Sequence, residues 1–337
     1  MSSTTFPPPR PSAISPPAAS PPPPHTPAGS VGKPRLFRRV IRWVHILAII
    51  VIIPVSVVLG FGEAGGILAL FIILVPFEKM FRRHKQPIRR PGLRTDLTYA
   101  IIAPLMDIVG LVAVFGLALM ALPLFLPAIL LRPLVLNQPG WVMALEAILL
   151  LDILIYWTHR LSHEIGFLWR FHSIHHSSEK MDWISGVREH PFDGAIIAVP
   201  VFFLIIAGFQ LEVVGIAAVV QALLGLLAHA NIRWRLRPLH RVVMTPEFHH
   251  WHHSSHPDAI HTNYSVFLPL WDMLWGTYRM PANSRPEVYG NSEDTPPSVT
   301  AQMLAPFSKQ MRDRYPFPPR VRSRLQRLIP FRRRFIA

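Results

Sequence analysis

The chain has 337 residues, half of them hydrophobic and only 16% charged, with no cysteine; soluble domains of this length rarely combine those values, so an ordinary water-soluble enzyme is excluded, as are disulfides, thiolate metal sites and cysteine nucleophiles. Lysine and arginine outnumber aspartate and glutamate by 34 to 19, a net charge of +15, but the basic residues fall in short blocks beside apolar runs: Arg35–Arg42, Lys79–Arg94 and Arg320–Arg334. That layout fits cytoplasmic loops and anionic headgroups, and with no nucleic-acid motif beside it no nucleic-acid partner is expected.

Residues 1–36 are rich in proline, serine and alanine and lack the basic start and apolar core of a secretory signal, so they read as a disordered, polyproline-like tail. Residues 37–94 read as a transmembrane hairpin and basic loop: apolar runs from about Trp43 to Leu59 and from about Gly66 to Phe77, then the return Lys79–Arg94. A third run, Leu97 to about Phe125, leads into a proline-broken stretch, Pro123–Pro139, and a fourth, Trp141–Trp157, ends at a histidine pair. The apolar block Ala195–Leu227 is too long for one span and carries Gly208, Gln210 and Glu212 near its middle, which makes it a helical hairpin. Residues 281–337 remain as a basic C-terminal tail, whose stretch Arg320–Arg334 either is solvated or lies on an anionic leaflet. The expected fold is therefore an all-α integral membrane protein with about four transmembrane helices, a helical hairpin and a histidine-rich helical cap. Counting spans from a cytoplasmic N-terminus puts that cap on the cytoplasmic face.

Histidines dominate the polar inventory. Residues 159–163 read His-Arg-Leu-Ser-His, residues 172–176 His-Ser-Ile-His-His and residues 249–253 His-His-Trp-His-His, one i, i+4 pair and two i, i+3, i+4 triplets, each set expected on one helix face. Buried imidazoles packed together lack partners and repel when protonated, and a metal removes both problems. Eight exceed what one tetrahedral ion uses, so two metals are expected. A zinc protease needs His-Glu-x-x-His and a serine hydrolase Gly-x-Ser-x-Gly, and the chain has neither. A transporter would hold its ligands at mid-bilayer, whereas these lie just past the apolar runs; a metal carrier or a metal-binding protein without turnover stays the alternative. His250 lies about 100° off the triplet's face and is left out, so its replacement, like that of His256, is expected to do little. Asp152, seven residues before His159, and Glu164, Glu179 and Asp182, near ligands in sequence, are candidates to accept the second ring N–H of a histidine.

Further strings surround these clusters: Asp152 with Tyr156-Trp157, Leu168-Trp169-Arg170, Arg188-x-His190-Pro191, His229-Ala230-Asn231, Asn263-Tyr264 and Leu270-Trp271-Asp272-x-x-Trp275-Gly276-Thr277-Tyr278. In this order they resemble the fatty acid hydroxylase and sterol desaturase superfamily, over residues 95–280. The resemblance implies an O2-dependent membrane oxidoreductase that hydroxylates or desaturates a sterol, fatty acyl, carotenoid or alkyl-ether lipid. It implies two iron ions, with zinc able to replace them on overexpression, and ligands His159, His163, His172, His175, His176, His249, His252 and His253, joined by His229 and, more weakly, His190. Lipid, dioxygen, the membrane and a separate electron-donor reductase are the implied partners. The implied location is the inner membrane of a bacterium or the endoplasmic reticulum of a eukaryote.

Overall fold

The computed structural model of the protein describes residues 63–120 and 126–317. The expected tail over 1–36, the first apolar run at 43–59 and the basic segment 320–334 lie outside them. Among the described residues all regular structure is helical, apart from two isolated β-bridges. The helices are α1 (Glu63–Phe81), α2 (Leu93–Met120), α3 (Leu126–Leu136), α4 (Gly140–Glu164), α5 (Gly166–His175), α6 (Pro191–Ile206), α7 (Leu211–His229), α8 (Pro246–His252), α9 (Leu270–Leu274), α10 (Val299–Leu304) and α11 (Lys309–Arg314).

Two of these, α4 and α7, are long and apolar enough to cross a membrane. Each buries one flank and exposes another made of large apolar side chains, Trp141, Leu145 and Leu149 on α4 and Leu211, Ile216, Val219 and Leu227 on α7. Water penalises such a flank, whereas lipid accepts it. The inner flanks pack with α3 and α6 around Ala128, Ala147, Ala207 and Ala217, small residues that let the helix backbones approach closely.

The block 195–227 divides into α6 and α7, turned at Gly208, whose φ of +97° favours glycine and whose neighbour Arg132, 3.0 Å from where a Cβ would stand, leaves little room for a side chain. The stretch expected to be broken by prolines instead contains the 11-residue α3, with Pro133 inside it. Proline removes one helical N–H and strains one turn; the Asn137 amide then caps the Pro133 carbonyl at 2.7 Å and Arg132 donates to the carbonyl of Ile206, fastening α3 to α6.

Local signals place the elements that carry histidines. The 25-residue α4 runs unbroken from its apolar half through His159 and His163. Thr245 caps α8 by accepting from the Phe248 N–H at 3.3 Å, with Pro246 in the first helical position. Asp182 caps the 3₁₀ turn Trp183–Val187 through a reciprocal box with Ser185. The described part of the expected C-terminal tail, residues 281–317, is a strap across the cap: the Tyr315 carbonyl accepts from Arg170, Asn291 donates to the Ser173 carbonyl and the Tyr99 hydroxyl reaches Gln302 at 2.9 Å.

Candidate metal centre

Nine histidines assemble into two adjacent groups, His159, His163, His172, His176 and His252 in one and His175, His229, His249 and His253 in the other. In each group one ring nitrogen per histidine lies within 4.8 Å of all the others. The triplets do not stay on one face, as the sequence led us to expect. His172 and His176, an i, i+4 pair, enter the first group while His175 enters the second; His249 and His253 enter the second while His252 enters the first. The reason is helical geometry: residues i+3 and i+4 are consecutive and stand about 100° apart, so at the ends of α5 and α8 they diverge to opposite sides. Each triplet thereby serves both groups, whose rings meet where His176 stacks on His253 at 4.1 Å.

The outer ring nitrogens are held from behind. Nδ1 of His159 faces the Tyr264 carbonyl at 2.7 Å, Nδ1 of His252 that of Thr262 at 2.7 Å, Nδ1 of His175 that of Arg188 at 3.1 Å, and Nδ1 of His229 that of Gly225 at 2.7 Å. Among the described residues, of these nine only His172 is backed by a carboxylate, Asp193, at 2.8 Å. A carbonyl accepts only, so each of these rings carries its proton on Nδ1 and turns a bare Nε2 inward. The inward atoms then crowd: Nε2 of His229 is 3.2 Å from that of His175 and 3.1 Å from that of His253, and Nε2 of His252 is 3.1 Å from that of His176. His175 and His229 have both spent their ring proton, so between them two lone pairs oppose each other. Nε2 of His163 and of His172 is buried without any partner.

This donor set fits metal ions. Two nitrogens about 2.1 Å from one ion and separated by 90–109° lie about 3.0–3.4 Å apart, the spacing seen here. Protons cannot serve in a metal's place, because burial lowers the basicity of His172 to a pKa of about 3, and burial with neighbouring imidazoles holds His176, His249 and His253 well below 6.5.

Other expected site residues stand elsewhere. His190 enters neither group: it caps α6, its Nδ1 accepting from the Phe192 N–H at 3.1 Å while Nε2 faces the Met303 carbonyl at 3.2 Å, so both ring nitrogens are engaged. Asp152 contacts no imidazole; it accepts from the Gln221 amide, the backbone N–H groups of Phe267 and Leu268, and Trp271 Nε1 at 2.7 Å, fastening α4 to the turn before α9. Glu164 pairs with Arg160 one turn away at 3.2 Å, Glu179 is exposed, and Asp182 pairs with Arg90. His250 is wholly buried, its Nε2 facing the His229 carbonyl at 3.2 Å and its Nδ1 facing Arg83 at 3.2 Å.

Residues not singled out from the sequence do the orienting instead. Asp272 accepts from the Tyr264 and Ser265 N–H groups, and Asn263, at φ 58°, exchanges hydrogen bonds with the Arg279 backbone and donates to the Phe248 carbonyl, which fixes the loop whose carbonyls hold His159 and His252. The Arg188 carbonyl that holds His175 is fixed by a buried network, with Arg188 donating to Asp96 at 2.7 Å and Arg90 bridging Asp96 and Asp182. A Cβ on Gly186 would stand 2.9 Å from Nδ1 of His229, so glycine makes room for that ring. The sequence signal for Asp193 was its place in the first turn after His190-Pro191; carbonyl partners carry no side-chain signal.

The fatty acid hydroxylase family model matches residues 144–277, which contain every histidine of both groups. An ornithine lipid hydroxylase from Rhizobium tropici is 36% identical over 179 residues, 51% of this chain and 53% of that protein. An alkylglycerol monooxygenase from Danio rerio is 32% identical over 135 residues, 39% and 29% of the two chains, and a very-long-chain aldehyde decarbonylase from Oryza sativa is 31% identical over 166 residues, 44% and 25%. The chain thus matches about half the length of the first relative and less of the other two. No solved structure matches it. The similarity to the fatty acid hydroxylase family is carried by residues 144–277.

Proposed function

We propose that the chain is an integral membrane oxygenase that hydroxylates or desaturates a C–H bond of a lipid, using dioxygen and electrons from a separate reductase. The observation that carries this is the pair of bare Nε2 atoms on His175 and His229, 3.2 Å apart in a buried cluster, which only a cation reconciles. His159, His163, His172, His176 and His252 would hold one iron, and His175, His229, His249 and His253 the other, with zinc able to substitute on overexpression. Bound iron supplies the activation of dioxygen. The chain's own residues orient and shelter: Asp193 and the four carbonyls fix the tautomers, and burial excludes water.

The relatives support a lipid substrate, since their names specify ornithine lipids, alkylglycerols and long-chain aldehydes. So does α4, an apolar span that leads directly to His159 past Tyr156 and Trp157, with Trp275 packed 5.2 Å and 5.0 Å from those two rings. A lipid chain entering along α4 meets these rings before the histidines. Residues 95–280 form the catalytic region in this proposal, within about four transmembrane helices and a hairpin, and the basic run Lys79–Arg94 supports a cytoplasmic cap in an inner or endoplasmic reticulum membrane.

Elemental analysis of the membrane-extracted protein is expected to give two ions per chain, and lipid profiles of cells with and without the gene a product heavier by one oxygen or lighter by two hydrogens. One ion or none in a folded sample rejects the paired centre. Two ions with no lipid change favour the metal-carrier alternative.

A further inference from the structure

Residues 230–245, between α7 and α8, contain Arg233, Arg235, Arg237 and Arg241 and no aspartate or glutamate. Interleaved with these arginines are Trp234, Leu236, Leu239 and Val242, exposed by 40%, 38%, 41% and 63%. The backbone holds this arrangement out: Leu236 sits in the left-handed region at φ 41°, ψ 34°, which L-residues seldom occupy. Arg235 and Arg237 have protein partners, Glu247 at 4.0 Å and the Ala282 carbonyl, and Arg241 meets the Tyr278 hydroxyl, but Arg233 and Arg241 are exposed with no acid in ion-pair range among the described residues.

Two apolar helices end at this level and fix it. The exposed apolar flank of α7 runs through Leu227 directly into the loop. The end of α1 lies beside it: the Arg233 N–H donates to the Phe81 carbonyl at 2.8 Å, Arg82 bridges to Ile232, and the rings of Phe77 and Phe81 pack on Trp234 at 5.4 and 4.8 Å. A tryptophan at the ends of apolar helices, with arginines and outward leucines beside it, has the composition of a membrane interface.

We propose that residues 233–242 form an interfacial loop in an anionic leaflet, with Trp234, Leu236, Leu239 and Val242 at the acyl boundary and Arg233 and Arg241 on lipid phosphates. This rests on the membrane reading of α4 and α7 proposed above. The loop leads at Thr245 into α8, so the leaflet sets the level of the helix that brings three of the nine histidines to the centre.

The test uses the full chain in phosphatidylcholine nanodiscs with and without phosphatidylglycerol, with a nitroxide on single cysteines, which the cysteine-free sequence permits. Leu236→Cys and Val242→Cys probe the loop, Val219→Cys the flank of α7, and Glu287→Cys, at an exposed acid, serves as the aqueous reference. Labels at 236 and 242 are expected to collide severalfold more with oxygen than with a nickel chelate, as at 219, and 287 to show the reverse. Phosphatidylglycerol should raise the ratio at 236 and 242, and adding Arg233→Gln with Arg241→Gln should abolish that rise. If 236 and 242 behave like 287 while 219 reports lipid, the loop proposal fails and the membrane reading stands. If 219 also reports water, the membrane reading fails first. Shielding from both reagents places the loop against protein, and a rise that survives both arginine replacements removes the anionic partner; either result overturns the proposal.

Discussion

The two histidine groups draw on the same two triplets and are held in different ways. The five-histidine group takes an i, i+4 pair from α4 and another from α5, and Asp193 stands behind His172. The four-histidine group has one such pair, His249 and His253, whose Nδ1 atoms lack partners, and two single histidines backed only by carbonyls. A carboxylate behind an imidazole makes it a stronger donor and brings a full negative charge near the metal, which a carbonyl does not. The comparison therefore predicts inequivalent sites, the first binding its ion more tightly.

His176→Ala and His253→Ala, one histidine from each group, should have the largest effects: turnover lost in both variants, with the ion of the affected group released and a lower melting temperature. Elemental analysis checks this, and two ions retained in either variant would remove that histidine from its group. Acid should act next. A histidine whose folded pKa lies below its unfolded value of 6.5 leaves the unfolded chain holding more protons as pH falls, so its contribution to stability is complete above 6.5 and is lost progressively towards the folded value, about 3 for His172. Protons compete with metal in the same direction. Release on lowering the pH should come in two steps, the four-histidine group first, and a single step for both ions would break the comparison.

Asp193→Asn sharpens it further. The substitution keeps the shape and removes the charge, and loss of such a backing carboxylate typically costs about 10–100-fold in metal affinity. A chelator titration should find that loss in one ion per chain only. Equal weakening of both ions would mean that the groups share their charge through the stacked rings of His176 and His253.

The groups were legible in the sequence to the extent that helical spacing is local. The i, i+4 pairs and the apolar hairpin could be seen; the splitting of each triplet, settled by which neighbours stand on either side of a helix end, could not. Asp152 shows the same limit: seven residues before His159 is a helical register, but Trp271, 119 residues away in sequence, supplies its strongest contact. His250 shows it in reverse. The spacing removed it from the ligands and led us to expect a silent replacement, whereas its hydrogen bonds predict a loss of stability. His250→Ala would leave the His229 carbonyl unsatisfied and take one partner from Arg83, which keeps the Pro286 carbonyl and Glu287, and an unsatisfied buried group costs about 1–3 kcal/mol. Denaturant unfolding should show that loss with both ions still bound, while replacing His256, an exposed cap whose Nδ1 accepts from the Asp258 N–H at 3.3 Å, should also leave both ions bound.

A comparably small effect belongs to His190, three residues before Asp193 and outside both groups. Its Nδ1 caps the first turn of α6, the turn that carries Asp193. Removing a capping acceptor usually costs about 0.5–2 kcal/mol. His190→Ala should lower stability by that amount and leave two ions per chain, whereas His190→Asn, which restores an acceptor, should recover most of it. If His190→Ala released an ion that His190→Asn retained, the cap would be setting the position of Asp193 behind His172, and the inequality between the two groups would begin one turn further from the metals than the hydrogen bond between those two residues.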